Sequence, residues 1–248
     1  MIKRISEYST FIREFGRTFD TTGALVPSGR FLARALARPL RQHPGGPMRI
    51  LEVGPGTGAV TQEIIRHVRP EDRLHIVELN ERFVSVLRRR FAAEPRFHRV
   101  AEQTSIFHAP VQDLKADEPY DYIVCGLPFN NFPADLVESI FGHMFDILRS
   151  GGCMTFFEYL WVRPLKRLVA SREQRRRVVE VGGVLRRYLA RYEQAHDNVY
   201  LNVLPAVTHY LRNEPPASGN GNGNGHENGN GRGNGNGNAR SSHDAAAR

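Results

Sequence analysis

Lysine is nearly absent from this chain. It occurs only at positions 3, 115 and 166, so almost all of the 34 basic residues are arginine. Arginine suits bidentate phosphate recognition, although codon bias would leave the same excess. Cysteine is scarce too. Cys125 and Cys153 both sit in apolar, strand-like runs, which excludes a disulfide framework, gives no metal-ligand set and reads as two reduced, buried thiols. No run of 18 apolar residues exists, so no transmembrane helix is expected. The N-terminus lacks a signal-peptide core. The expected location is the cytoplasm, with peripheral association on the inner face of a membrane. From about Pro215 to Arg248 the chain has no apolar residue larger than Ala and is dominated by Gly-Asn repeats. Such a segment cannot bury enough area to offset chain entropy, and it reads as a disordered tail without a catalytic role. Counted from Glu214 onward its charges cancel (Arg232, Arg240 and Arg248 against Glu214, Glu227 and Asp244), so the net charge of +8 belongs to the rest of the chain. A basic body predicts an anionic partner, either a lipid surface or nucleic acid.

What is present is organised around Leu51-Glu52-Val53-Gly54-Pro55-Gly56-Thr57-Gly58. The apolar run Met48 to Val53 predicts a buried parallel strand. Three glycines allow a tight turn with no Cβ in the way, and a helix is expected from about Thr57 to Val68. Strand, turn and helix together form a nucleotide-binding corner. A second strand, Leu74 to Val77, ends in Glu78 and Leu79. Glu78 lies 20 residues after Gly58 (78 − 58), placed to accept from two ribose hydroxyls. Acidic Glu52 beside the turn argues against a pyrophosphate and for a cationic ligand without phosphate. S-adenosylmethionine fits, with its ammonium at the turn and Glu52 and its ribose at Glu78. This stretch resembles motif I of the class I methyltransferases.

The remaining elements follow an α/β plan. Residues 1–20 read as a basic amphipathic helix, with Ile5, Tyr8, Phe11, Ile12, Phe15 and Phe19 on one face and Lys3, Arg4, Arg13 and Arg17 elsewhere. That composition suits an anionic membrane surface, or a helix packed on its own domain. Ser28 can cap a second helix over 29–40, with Phe31, Leu32, Ala35 and Leu36 inward and Arg30, Arg34, Arg38 and Arg41 outward. Strands are expected at 49–53, 73–77, 105–108, 121–125 and 153–160, and helices at 80–92, 133–148 and 172–192. A closing antiparallel hairpin is expected at 198–203 and 206–211. The division is therefore 1–41 for amphipathic helices, 48–213 for a Rossmann-like, seven-stranded, mostly parallel catalytic domain, and 214–248 for the tail.

The loop after the fourth strand, Gly126-Leu127-Pro128-Phe129-Asn130-Asn131-Phe132, lies where strand ends face the ligand crevice. It resembles motif IV of amino-group methyltransferases. The usual first side chain of that motif is missing at Gly126. This leaves backbone carbonyls, with Asn130 or Asn131, to orient an aliphatic amine. Gln112 and Asp113, after the third strand, match the position that holds the adenine amino group, with Asp113 as the acceptor. Glu158 and Tyr159 end the fifth strand and can hold the substrate amine or simply satisfy a sheet end. Arg163, Lys166 and Arg167 form a cationic cluster suited to a phosphate, or else a solvated face.

Thr22-Gly23-Ala24-Leu25-Val26-Pro27-Ser28, motif I, the Gly-Leu-Pro-Phe loop and Asn198-Val199-Tyr200-Leu201-Asn202-Val203-Leu204-Pro205-Ala206 together resemble the soluble bacterial phospholipid N-methyltransferases, over about Phe11 to Arg212. The resemblance implies methyl transfer from S-adenosylmethionine to phosphatidylethanolamine and its partly methylated products. It also implies docking through the N-terminal helix, a substrate pocket that includes Pro27 and Ser28, no nucleic-acid partner and a monomer. An alkylammonium resembles Lys, with a pKa of about 10.4, and must lose a proton before it attacks. Glu158, Tyr159 or a backbone carbonyl can take that proton. Phe129, Phe132 and Tyr159 can hold the growing methylammonium by cation–π contact. The rivals are a ribosomal RNA adenine N6-methyltransferase and a lipid-binding protein that has lost catalysis. Gly126, and a sequence with only the hairpin and tail after residue 192, speak against the first. Intact Glu52 and Glu78 speak against the second.

Overall fold

The computed structural model describes residues 29–160, 172–202 and 204–214. The expected helix at 1–20, Pro27 and Ser28, the Arg163, Lys166 and Arg167 cluster, and the tail from Pro215 onward lie outside the described residues.

Seven strands form one sheet: β1 (Arg49–Val53), β2 (Arg73–Glu78), β3 (Thr104–His108), β4 (Tyr120–Cys125), β5 (Leu148–Tyr159), β6 (Glu193–Val199) and β7 (Ala206–Arg212), in the order β3-β2-β1-β4-β5-β7-β6. β1 pairs in parallel with β2 and β4, β2 with β3, and β4 with β5, whereas β7 runs antiparallel to both of its neighbours. The strand order reverses between β1 and β4, which run parallel, so the ligand crevice of such a sheet opens at the carboxyl ends of these two strands.

The helices are α1 (Arg30–Leu36), α2 (Arg38–Arg41), α3 (Thr61–Ile64), α4 (Glu81–Ala93), α5 (Pro95–His98), α6 (Ala134–Ile147) and α7 (Arg172–Tyr192). Alternation along each strand divides the apolar residues into two layers. Leu51, Ile123 and Phe156 pack with α6 and α7 on one face. Ile50, Val124 and Phe157 pack with α1 to α5 on the other. α7 reaches the sheet through Val178, Val181, Val184 and Leu185, the three- and four-residue spacing of one helical face.

Four elements differ from their expected form, the first being β5, which begins at Leu148 rather than at 153. The helix after the glycine turn is regular only over Thr61–Ile64. Beyond it, Arg66 and His67 bond three residues back rather than four, so the element is a tightened helical turn. The second helix is interrupted at Ala37, because Pro39 has no N–H to continue the ladder. Arg38 is not turned outward. It is half-buried, bonds both carboxylate oxygens of Asp197 at 2.7 Å, and lies over the Tyr210 ring at 4.1 Å. Finally, β6 begins at Glu193, five residues before the expected strand. Its run Glu193 to Asn198 is polar because it forms the sheet edge, and polar edge residues do not register as a strand. The apolar residues Tyr200 and Leu201, expected in the strand, fall in the turn instead.

Candidate active site

β1 delivers Val53 to the crevice, and the chain turns there through Gly54, Gly56 and Gly58 at φ 68°, 58° and 87°. This left-handed region is strained for any residue with a Cβ. Gly54 N–H donates to Val77 O at 3.0 Å and Gly126 N–H donates to Val53 O at 2.8 Å, so the turn is bound to the strand on each side. Pro55 is buried and its carbonyl accepts from Gly58 N–H at 3.0 Å. Gly126 has a steric reason to be glycine: a Cβ there would sit 2.7 Å from Gly54 O. The backbones of β1 and β4 approach too closely for any side chain. Leu127 packs over Gly54 in the same way, with Cδ2 2.4 Å from where a Gly54 Cβ would stand.

Arg90, on α4, had no signal in the sequence. Its guanidinium donates to Thr57 O at 2.8 Å and Gly58 O at 3.2 Å, pairs with Glu94 at 2.8 Å, and lies 4.1 Å over the Phe97 ring. It fixes the outer limb of the turn. A run of arginines at 88, 89 and 90 gives no hint that one of them is the clamp.

Glu52 is 1 % exposed, and neither carboxylate oxygen has a hydrogen-bond partner among the described residues. Burial pushes its carboxyl up to about 8. Thr61 lies close enough to oppose this in part, without a hydrogen bond of normal geometry, while Glu78 reinforces it. A buried carboxyl without a partner, beside a left-handed glycine turn, is what an arriving ammonium would satisfy.

Glu78 is 8 % exposed at the tip of β2. Its carboxylate accepts from Gly56 N–H at 3.1 Å and Asn80 N–H at 2.8 Å. Burial raises its pKa, and these backbone bonds and the His108 charge oppose that. Two bonds leave carboxylate lone pairs for a diol. Asn80 also caps α4, accepting from Arg82 N–H at 2.9 Å, so Glu78 and Leu79 are held between strand and helix. His108 bonds Leu79 O at 3.0 Å.

Val111–Asp113 forms a single 3-10 turn after β3. Asp113, the expected adenine acceptor, is exposed there. The neighbouring Gln112 carries a buried Oε1 without a partner among the described residues, so Gln112 is the better-placed acceptor on this turn.

The structure corrects two substrate-side expectations. Phe129 and Phe132 are each 1 % exposed, with ring centroids 6.2 Å apart, and Phe129 lies 4.9 Å from Phe141 and 5.9 Å from Phe156. They anchor the motif IV loop in the core and present no face for a cation–π contact. Asn130 and Asn131, between them, are half-buried. Glu158 and Tyr159 do not act as a pair, because successive strand residues point to opposite faces. Tyr159 packs edge-on against Phe157, 5.1 Å away on the α1 side, and burial raises its pKa. Glu158 lies on the Phe156 side. There, Glu158 Oε2 is 3.6 Å from His209 Nε2, and His209 Nδ1 bonds Glu193 Oε1 at 2.7 Å. His209 stacks on Phe156 at 4.9 Å. Burial works to lower the imidazole pKa, but the two carboxylates outweigh it and raise it. His209 was legible only as an alternate residue of the last strand. Its two acidic neighbours come from separate strands.

No metal-binding group of three or more His, Cys, Asp or Glu occurs among the described residues. Cys125 and Cys153 are free, the first buried with its thiol pushed up to about 12 by burial and the second half-buried. No described helix is long and apolar enough to cross a membrane.

The comparisons with known proteins agree with this geometry. Residues 50–152 match the family described as methyltransferase domain. The chain is 28% identical over 166 residues to an ornithine lipid N-methyltransferase of Singulisphaera acidiphila, covering 64% of this chain and 81% of that one. It is 37% identical over 82 residues to a ribosomal RNA small subunit methyltransferase A of Parasynechococcus marenigrum, covering 33% of this chain and 26% of the relative. Among solved structures, the O-methyltransferase TomG from Streptomyces achromogenes, in complex with SAM, superposes with a TM-score of 0.56 at 16% identity, covering 82% of this chain and 88% of that one. The N-methyltransferase NodS from Bradyrhizobium japonicum WM9, in complex with S-adenosyl-L-homocysteine, gives 0.53 at 15%, covering 81% and 97%. With the glycine turn, Glu52 and Glu78 in place at the switch of the sheet, the chain has the fold of the S-adenosylmethionine-dependent methyltransferases, and its residues 50–152 match a methyltransferase domain.

Proposed function

We propose that this chain methylates the amine of phosphatidylethanolamine and its mono- and dimethyl products, toward phosphatidylcholine, at an anionic membrane surface. The observation that carries the reading is the breadth of the lipid match: the chain spans 81% of a lipid N-methyltransferase but 26% of the ribosomal enzyme. Gly126 supports it, since its close approach to the Gly54 carbonyl leaves no side chain there to grip a base amine.

S-adenosylmethionine supplies an electrophilic methyl group when bound. Glu52 and the glycine turn suit its ammonium, Glu78 its ribose, and Gln112 its adenine. The protein's main contribution is position. The substrate nitrogen arrives as an ammonium and must give up one proton before its lone pair is free to accept the methyl group that the cofactor would supply. Glu158, on the crevice end of β5, is the proposed acceptor, and His209 is its positioning residue. Residues 1–20 carry the membrane contact in this reading.

The test is to incubate the chain with methyl-labelled S-adenosylmethionine and phosphatidylethanolamine/phosphatidylglycerol vesicles and separate the lipids. Label in mono-, di- or trimethylated lipid is expected, and removal of residues 1–20 should abolish flotation with the vesicles. Unlabelled lipid from protein that still binds the cofactor would refute the substrate and make small ribosomal subunits the next acceptor to try.

A further inference from the structure

Five large apolar side chains are exposed among the described residues, and four of them lie at one end of the molecule: Leu160 37%, Tyr200 67%, Leu201 73% and Leu204 42%. The fifth, Val179, is on α7. The grouping follows from the ladder. Tyr159 and Val199 both register with Ala206, and Leu160 N–H donates to Pro205 O at 2.9 Å, so the end of β5 and the turn from β6 to β7 meet. β6 runs in the same sense as the parallel strands, because β7 is antiparallel to both β5 and β6. Its carboxyl end, and the turn that follows, therefore lie at the crevice end of the sheet, the end reached by Val53, Cys125 and Tyr159.

The turn is also tied down. Asn202 Nδ2 donates to Leu204 O at 3.0 Å, and Asn202 Oδ1 accepts from Gly29 N–H at 2.9 Å. Gly29 has no room for a Cβ, which would stand 2.3 Å from that oxygen. The exposed Arg30 and Arg34 of α1 begin at this junction. Three exposed apolar side chains with cations beside them are an interfacial arrangement: apolar groups enter the acyl boundary while arginines stay at the anionic headgroups. A Tyr at the rim suits the same boundary.

We propose that the β6–β7 turn, with Leu160, is a membrane-inserting tip that seats the crevice against an anionic bilayer, as a second contact separate from residues 1–20. The inference rests on the lipid-methyltransferase reading for its choice of a bilayer as partner.

The test compares the full chain with a Leu201→Asp/Leu204→Asp variant and with Val179→Asp as a control. Flotation uses phosphatidylethanolamine/phosphatidylglycerol vesicles. Calorimetry follows S-adenosylmethionine binding, and a second assay follows methylation of short-chain phosphatidylethanolamine below its micellar concentration. The double variant should bind vesicles about tenfold more weakly or worse, with cofactor affinity and short-chain methylation unchanged and Val179→Asp behaving as wild type. Equal flotation of all three proteins would overturn the proposal. So would an equal loss with Val179→Asp, which would mean added charge alone, or a wild-type dimer that the double variant dissociates in sedimentation velocity, which would make the patch a self-interface. Selective loss of flotation in a chain that methylates no lipid would support the tip and refute the substrate.

Discussion

Glu52→Gln should make the ligand-free protein more stable, by an amount that grows with pH. In the folded chain the Glu52 carboxyl is buried and lacks a hydrogen-bond partner, and its pKa rises to about 8 from an ordinary 4.5. The folded state therefore keeps a proton that the unfolded state releases. Stability from the protonated group is fully present below 4.5 and is lost as pH rises to about 8. From pH 4.5 to 7 is 2.5 units, or about 3 kcal/mol at 1.36 kcal/mol per unit. Glutamine has nearly the same shape and no charge, so it removes this slope. Urea unfolding of ligand-free wild type and variant at pH 5, 6, 7 and 8 would measure it. The two curves should nearly coincide at pH 5 and separate by a few kcal/mol at pH 7 and above. Parallel curves would mean that Glu52 is ionised and satisfied in the folded protein, and would refute the argument. The same carboxyl must ionise to meet an ammonium, so cofactor binding below pH 8 should release a proton, seen as a binding enthalpy that varies with the buffer. Glu52→Gln should abolish that dependence and weaken binding.

Three further outcomes are expected. Glu78→Ala removes the acceptor of Gly56 N–H and Asn80 N–H and should weaken S-adenosylmethionine binding about 10- to 100-fold in calorimetry; wild-type affinity would remove Glu78 from the cofactor site. Gly126→Ala drives a Cβ to 2.7 Å from Gly54 O and should cost about 1–3 kcal/mol together with cofactor affinity, whereas Gly183→Ala, with open space at its Cβ position inside α7, should gain up to about 1 kcal/mol in thermal unfolding. His209→Phe keeps the stack on Phe156 but loses the imidazole between Glu158 and Glu193. Because the His209 pKa is raised, its contribution is fully present below 6.5 and fades as pH rises through the folded value, so the stability gap between wild type and variant should narrow with rising pH; a constant gap would assign the loss to packing.

The sequence by itself determined the elements of the parallel sheet. Apolar runs at β1, β2 and β4 are buried on both faces, and burial on both faces forces continuous apolar sequence, which is legible without contacts. It also determined the cofactor corner, because glycines at positive φ and acids at strand tips are local requirements. Other features needed the tertiary structure. Glu158 and Tyr159 are adjacent in sequence, and only the pleat separates them. Phe129 and Phe132 read as ligand aromatics until the fold buries both, with Phe141 of the following helix and Phe156 of β5 packed on Phe129 and Phe132 edge-on to it. Arg90 is one arginine in a run of three, and Gly58 and Thr57 single it out from 32 and 33 residues away. His209 acquires its role from Glu193 on β6, 16 residues earlier, and from Glu158 on β5, which only the pairing of β7 with both strands brings to it. Tyr200 and Leu201 read as strand residues because they are apolar. In the fold the polar run Glu193 to Asn198 takes the sheet edge, and the apolar residues are left in the turn, facing solvent at the mouth of the crevice. Periodicity reports which residues are apolar. Only the assembled sheet decides which of them find a partner.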